Sequence, residues 1–134
     1  GRLNMFFYDP KWKKKLPYYD TFPLVLPIEK YPDGFLGINM HYLPIPLRIR
    51  LLDRLVDFSN NTKFDESTKL ILNYSKLKNV RLIKPTLHRY LAGHTKSQFR
   101  RIDADEFTIA TLLPVQRFKK ASETSVWSDS RKMI

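Results

Sequence analysis

Apolar positions along this chain change their period more than once, and each change marks a different kind of element. Residues 3–8 (LNMFFY) form a short aromatic and apolar run suited to a strand, ended by Asp9-Pro10. Residues 11–19 (KWKKKLPYY) read as a loop. Residues 22–28 and 35–40 flank Tyr31-Pro32-Asp33-Gly34, whose Pro, Asp and Gly suit successive turn positions, so the pattern predicts a β-hairpin. Pro23 and Pro27 remove two N–H donors from its first arm, which is therefore expected at a sheet edge or interrupted.

From Leu47 the period becomes helical. Leu47, Leu51, Leu52, Leu55, Val56 and Phe58 fall on one face, Arg50, Asp53, Arg54 and Asp57 on the other, and Pro46 suits a first turn. A second helix is expected over 65–77 with Leu70, Ile71, Tyr74 and Leu77 inward, after a break at Asn60-Asn61-Thr62. A short helix over 85–91 would stop at Ala92-Gly93, and 97–102 would form a strand returning to the first sheet. Asp103 is a candidate N-cap for a helix over 104–113, and Ser122 or Thr124 starts a last helix running past Trp127 to 133. The chain thus divides into a β-rich part (1–43), a mainly helical part (44–92) and a strand with helices (96–134), with no repeat and no low-complexity linker. The expected architecture is one α+β domain: a small twisted antiparallel sheet, in the form of an SH3-like, partly open barrel, decorated by several helices.

Length and composition agree with this. At 134 residues and 43% hydrophobic content the chain can bury one real core. The absence of Cys removes disulfides and thiolate sites, and fits a reducing compartment. No apolar run reaches the roughly 18 residues a membrane span needs, and no signal-peptide pattern opens the chain. Beginning at Gly1 and entering a strand almost at once, it is expected to be the ordered or processed part of a longer product.

Charge changes the picture more. Residues 67–102 contain no acidic side chain but nine basic ones, Lys69, Lys76, Lys78, Arg81, Lys84, Arg89, Lys96, Arg100 and Arg101, and so carry +9 of the formal +11. An ordinary solvated face mixes both signs, so a block of one sign implies an anionic partner: nucleic acid, an acidic protein surface or lipid head groups. Across a strand, Lys96, Gln98 and Arg100 would share a face, with Phe99 and Arg101 on the other. A second cluster, Lys11, Lys13, Lys14 and Lys15, is interleaved with Trp12 and followed by Tyr18 and Tyr19. Aromatics beside lysines can stack on bases; alternatively Trp12, Leu16 and Tyr18 pack on the sheet while the lysines stay wet. No base-reading motif accompanies either cluster.

The remaining candidates point to structure. Arg48 lies among Leu52 and Leu55 on the apolar helix face and needs a partner, Asp20 or Asp33 being conceivable, unless it snorkels out. Arg50–Asp53 and Arg54–Asp57 are spaced to neutralise the outer face. His41, His88 and His94 have no metal-ligand spacing, and His41 reads as a packed, hydrogen-bonded residue. No catalytic triad, carboxylate pair or phosphate loop is present, so neither enzyme activity nor a cofactor is expected. Residues 103–118 read as a core helix, with Phe107, Ala110, Thr111 and Pro114 as a compact face that would alternatively serve an interface.

Several motifs together resemble a known family. Phe6-Phe7-Tyr8-Asp9-Pro10-Lys11, Leu16-Pro17-Tyr18-Tyr19-Asp20, Phe22-Pro23-Leu24, Gly34-Phe35-Leu36-Gly37-Ile38-Asn39 and His41-Tyr42-Leu43 resemble small virion proteins of contractile-tailed bacteriophages. Arg48, Leu51-Leu52-Asp53, Asp65-Glu66-Ser67-Thr68, Arg89-Tyr90-Leu91 and Leu113-Pro114-Val115 continue the likeness in the same order, over most of the chain. The resemblance is to DNA-end protector, or head-completion, proteins, with neck, tail and baseplate proteins as relatives in kind. It implies a non-enzymatic component of the virion, present in the host cytoplasm during assembly. Its implied partners are DNA and other virion proteins in a larger symmetric assembly, with no membrane. DNA would be held by phosphates through Lys96, Arg100, Arg101, Lys84, Arg89, Lys76 and Lys78, helped by Lys13, Lys14 and Lys15. The rival expectation is a structural adaptor of neck, tail or baseplate whose basic face docks an acidic neighbouring subunit.

Overall fold

The computed structural model describes residues 3–57, 80–102 and 106–134. The expected helix over 65–77, the break at Asn60-Asn61-Thr62 and the Asp103 cap lie outside them, as do Lys76 and Lys78. In chain order the elements are β1 (Asn4–Met5), β2 (Tyr19–Asp20), β3 (Leu24–Tyr31), β4 (Gly34–Asn39), a 3₁₀ turn (Met40–Tyr42), α1 (Ile45–Asp57), a second 3₁₀ segment (Arg81–Thr86), β5 (Leu87–Leu91), a third (Ala92–His94), β6 (Arg100–Arg101), α2 (Phe107–Leu112), β7 (Phe118–Lys119) and α3 (Glu123–Met133). Five strands form one antiparallel sheet in the order β5-β4-β3-β1-β6, and β2 pairs with β7 separately.

The fold is α+β, but the sheet is open. Its outer strands, β5 and β6, do not pair with each other, so the SH3-like barrel is corrected to an open sheet. Closure needs strands long enough to stagger around a ring, and β1 and β6 are two residues each.

The hairpin forms as its turn residues predict, with Tyr31 opposite Gly34. Its first arm lies between β4 and β1, so it is not an edge strand but the interrupted one that Pro23 and Pro27 allow. Pro27 is tolerated because the register breaks between Pro27 and Glu29, and because β1 pairs only with Leu24 and Val25. Gly34 is required by crowding: a β-carbon there would stand 1.9 Å from the Tyr90 carbonyl oxygen. Gly34→Ala should therefore push β5 off β4 and cost about 2 kcal/mol, measurable by denaturant unfolding; a loss below about 0.5 kcal/mol would mean β5 yields freely.

Residues 85–91 are the main correction to the predicted elements. They form the end of a 3₁₀ segment and then strand β5, because β4 offers a free edge and Leu87 to Leu91 zip onto it in register. Leu87 and Leu91, four apart, imitate a helix face. The true period is two: Tyr90 is buried and Arg89 exposed.

The alternating side chains of β3 give the sheet two different faces. Leu24 and Leu26 join Met5, Ile38 and Met40 beneath Leu51, Leu52 and Leu55 of α1, Ile83 and Ala110. Val25 instead joins an aromatic cluster of Phe6, Tyr8, Tyr90 and Phe35. In α2, Ala110 and Thr111 are buried as a core helix requires, whereas Pro114 is exposed. Ser122 caps α3, accepting from the Ser125 N–H at 3.2 Å. Among the described residues no helix is long and apolar enough to cross a membrane.

Candidate nucleic-acid interface

A buried polar spine fixes the surface above it. Asp20 is 4% exposed; its Oδ1 accepts from the N–H of Phe22 (3.0 Å) and Arg117 (3.1 Å). Its Oδ2 accepts from Asn39 Nδ2 at 3.1 Å and lies 2.8 Å from His41 Nδ1. Burial alone would raise the Asp20 pKa, but the His41 hydrogen bond and charge, with the Phe22 N–H and the Asn39 amide, outweigh it and hold the carboxyl below its ordinary value. His41 is fully buried and hydrogen-bonded, as its sequence position predicts.

Arg48 is also fully buried, and it does not snorkel. Its Nε donates to the Leu43 carbonyl (2.6 Å) and its terminal nitrogens to Thr111 O (3.3 Å) and Gln116 Oε1 (3.2 Å), while its guanidinium lies 5.6 Å from the Trp127 ring centroid. Neither expected carboxylate pairs with it directly: Asp20 holds His41, and Asp33 holds Arg89. Burial pulls its pKa down to about 10, with Asp20 and Glu123 acting through space in the other direction, so the charge persists at neutral pH.

Above this spine the loop after β1 turns sharply, with the N–H groups of Lys15 (2.9 Å) and Leu16 (3.0 Å) donating to the Trp12 carbonyl. Lys120, in the left-handed region at φ 71°, closes the loop by donating from Nζ to the carbonyls of Lys13 and Leu16. Trp12 is 56% exposed, which corrects the expectation that it packs on the sheet. The Nζ atoms of Lys11 and Lys15 lie 5.0 and 5.2 Å from its ring centroid.

The fold brings the end of the acid-free block to this loop. The Lys96 N–H donates to the Phe7 carbonyl (2.7 Å), the Asp9 N–H donates to the His94 carbonyl (3.0 Å), and Tyr8 bridges Thr95. Asp9 accepts from Lys13 Nζ at 2.9 Å, and this contact, with Lys96 and His94 nearby, lowers its pKa despite some desolvation. Arg89 donates to Asp33 at 2.7 Å and lies over the Tyr31 ring, and this pairing lowers the Asp33 pKa, with Lys11 adding to it. Two expected phosphate contacts, Lys13 and Arg89, thus already hold carboxylates. Lys14, Lys15, Lys84, Lys96, Arg100 and Arg101 are exposed and form no ion pair among the described residues.

Arg100 and Arg101 form β6 against Met5 and Asn4, as the returning strand requires. That strand is only two residues long, so Lys96 lies outside it and the expected sharing of one face by Lys96 and Arg100 is corrected. The Ser97 hydroxyl accepts from the Phe7 N–H (2.9 Å) and interrupts the ladder. Phe99 stacks on Phe6 at 4.3 Å. Arg89 and the Arg100–Arg101 pair sit on opposite outer strands, so the acid-free block spreads around the sheet. Arginines set aside on sequence grounds also gather: Arg50 and Arg54 of α1 line one groove with Arg131 of α3, and the expected Arg50–Asp53 pair does not form. Their separation of about 80 residues hid this.

Between the Trp12 loop and β5 lies a cleft of about 370 Å³ that the sequence did not disclose. Trp12, Lys11 and Arg89 line it, with Tyr42, His88 and Tyr90 as further walls and Asp20 among the lining groups. The His88 ring packs 4.1 Å from Tyr42, and its Nε2 lies 3.2 Å from the Pro85 carbonyl. A carbonyl only accepts, so Nε2 carries the proton. Burial holds the His88 pKa down to about 4, against smaller opposing effects of Pro85 and Asp20. Burial likewise raises the phenols of Tyr42 and Tyr90, which remain protonated. Among the described residues no three His, Cys, Asp or Glu groups gather to hold a metal.

One protein-family profile, described as Phage T4 terminal DNA protecting protein, matches residues 1–131. No curated protein and no solved structure matches the chain at a significant level.

Proposed function

The chain belongs to the Phage T4 terminal DNA protecting protein family, and from that premise we propose that it binds the ends of phage DNA through their phosphates and shields them without catalysing a reaction. The observation that carries this reading is the set of exposed cations that form no ion pair among the described residues: Lys14 and Lys15 in the loop at 11–15, and Lys96, whose N–H donates to the Phe7 carbonyl just ahead of that loop. Lys84, Arg100 and Arg101, which are exposed, and Lys76 and Lys78 of the same acid-free block are further candidate phosphate contacts, and Lys13 and Arg89 contribute only by leaving Asp9 and Asp33. Contacts of this kind neutralise phosphates whatever the sequence, which suits a role defined by location. The protein acts as one domain within the virion, completing the head beside other virion proteins in a symmetric assembly, after forming in the host cytoplasm.

Binding to a linear duplex across a salt series tests this reading. Log affinity should fall linearly with log salt, and Lys14→Ala, Lys15→Ala and Lys96→Ala should each reduce that slope by about 1. Exonuclease digestion of the same fragment should slow in proportion to occupancy. Absence of binding at low salt would sink the proposal and leave a basic face that docks an acidic neighbouring subunit. Mg²⁺-dependent cleavage of the fragment would overturn its non-enzymatic part.

A further inference from the structure

We propose that the cleft beside Trp12 receives an unpaired nucleobase from the DNA terminus, stacked on the Trp12 indole, and so lets a phosphate-binding protein recognise an end. The inference rests on the DNA-end reading above and specifies its ligand. At about 370 Å³ the cleft is near the lower bound of roughly 300–1,000 Å³ for small-molecule sites, the scale of one planar ring system with its sugar. Aromatic rings line it: the Trp12 indole from the loop, and Tyr42, His88 and Tyr90 from the body of the fold.

Charge decides which part of a nucleotide enters. Lys11 and Arg89 line the cleft and are exposed, and Lys15 lies over the neighbouring Trp12 ring. The buried Asp20 also lines the cleft, its carboxylate kept ionised by four hydrogen-bond contacts, as does His88, which is neutral at physiological pH and offers a phosphate no compensating charge. A phosphate inside would face that carboxylate in a poorly solvated space. A neutral base meets no such penalty, so the base goes in while its phosphates stay with the lysines.

Trp12 is already covered by two lysine heads, and magnitudes decide whether a base displaces them. An exposed cation–π contact is worth about two- to fivefold in an equilibrium, whereas stacking a base on an aromatic side chain is worth about five- to 150-fold. A base stacked on one face of the indole outweighs the single cation–π contact it replaces, and the lysine so released is free to hold its phosphates. Bases inside a duplex are paired and stacked, and extruding one is costly. A frayed or overhanging terminus supplies an unpaired base without that cost, which gives end preference without sequence preference.

The test compares a duplex bearing a short 3′ overhang with the same duplex whose overhang is abasic, keeping every phosphate. The wild-type protein should bind the normal overhang about tenfold more tightly than the abasic one. Trp12→Ala should remove that difference while leaving the abasic affinity unchanged, and Trp12→Phe should retain most of it. Trp12 is 56% exposed, so its removal opens no core cavity. Equal wild-type affinity for the two duplexes, or an equal loss by Trp12→Ala on both, would refute the base pocket while the salt-dependent end binding stood. Failure of the wild-type protein to bind either duplex at low salt would overturn the end-binding reading and the pocket together.

Discussion

Arg48→Met is expected to destabilise the fold by about 3–5 kcal/mol, the largest effect of any single side chain outside the apolar core. The methionine fills most of the volume but donates nothing, and the carbonyls of Leu43 and Thr111 and the Gln116 side chain then lose their donor inside the protein. Removing the donor of a buried acceptor costs roughly 1–3 kcal/mol, and the half-buried Gln116 contact adds less. Because those acceptors lie before α1 and around the end of α2, and Trp127 of α3 stacks on the same guanidinium, one substitution loosens three elements. Arg48→Lys should recover only a small part, since an ammonium has no planar fork to reach three acceptors at once. Urea unfolding gives the measurement, with a lowered midpoint at constant slope as the expected signature. A loss below about 1 kcal/mol for the methionine variant would show that the buried guanidinium is dispensable.

Loss of stability in mild acid is the second large effect. His88 has a folded pKa of about 4 against an unfolded value near 6.5, so the unfolded chain binds a proton that the folded chain refuses. Stability is therefore full above about pH 6.5 and falls as the pH drops towards 4, by about 3 kcal/mol for this one group. Asp20 adds a second loss at lower pH: its folded pKa is depressed, so its contribution, complete above the unfolded carboxylate value, disappears as pH falls through the folded one. His88→Gln, which keeps a donor for the Pro85 carbonyl but does not titrate, should flatten the first fall and leave the second. Denaturant midpoints measured from pH 7 to pH 4 decide the matter; an unchanged slope in the glutamine variant would assign the acid sensitivity to other groups.

The legible parts of this protein were those written locally. The hairpin around Pro32 and Asp33 was readable because turn residues separate two apolar runs, and α1 because leucines recur on one face. Ser122 was readable as a cap, and Arg48 as an anomaly in need of partners. Gly34 is legible as the residue that closes the turn, opposite Tyr31, but not as the point where β4 and β5 nearly touch. Strand β5 was misread because Leu87 and Leu91 satisfy a helical spacing as well as an alternating one, and only a waiting sheet edge chooses between them. The two-residue strands β2 and β7 carry too little pattern to be read at all.

By itself the sequence determined the periods of the elements, the excess of positive charge and the family likeness, because these depend on residue type and near neighbours. Only the tertiary structure decided which charges meet. It placed Lys96 beside the loop at 11–15, put Arg89 and Arg100 on opposite outer strands, and occupied Lys13 and Arg89 with carboxylates. It also assembled the cleft from Trp12, Tyr42 and His88, which no local spacing relates. The physical reason is range: periodicity and capping act over a few residues, whereas these positions follow from strand register and from hydrogen bonds such as Asp20 to Arg117, between residues far apart in the chain.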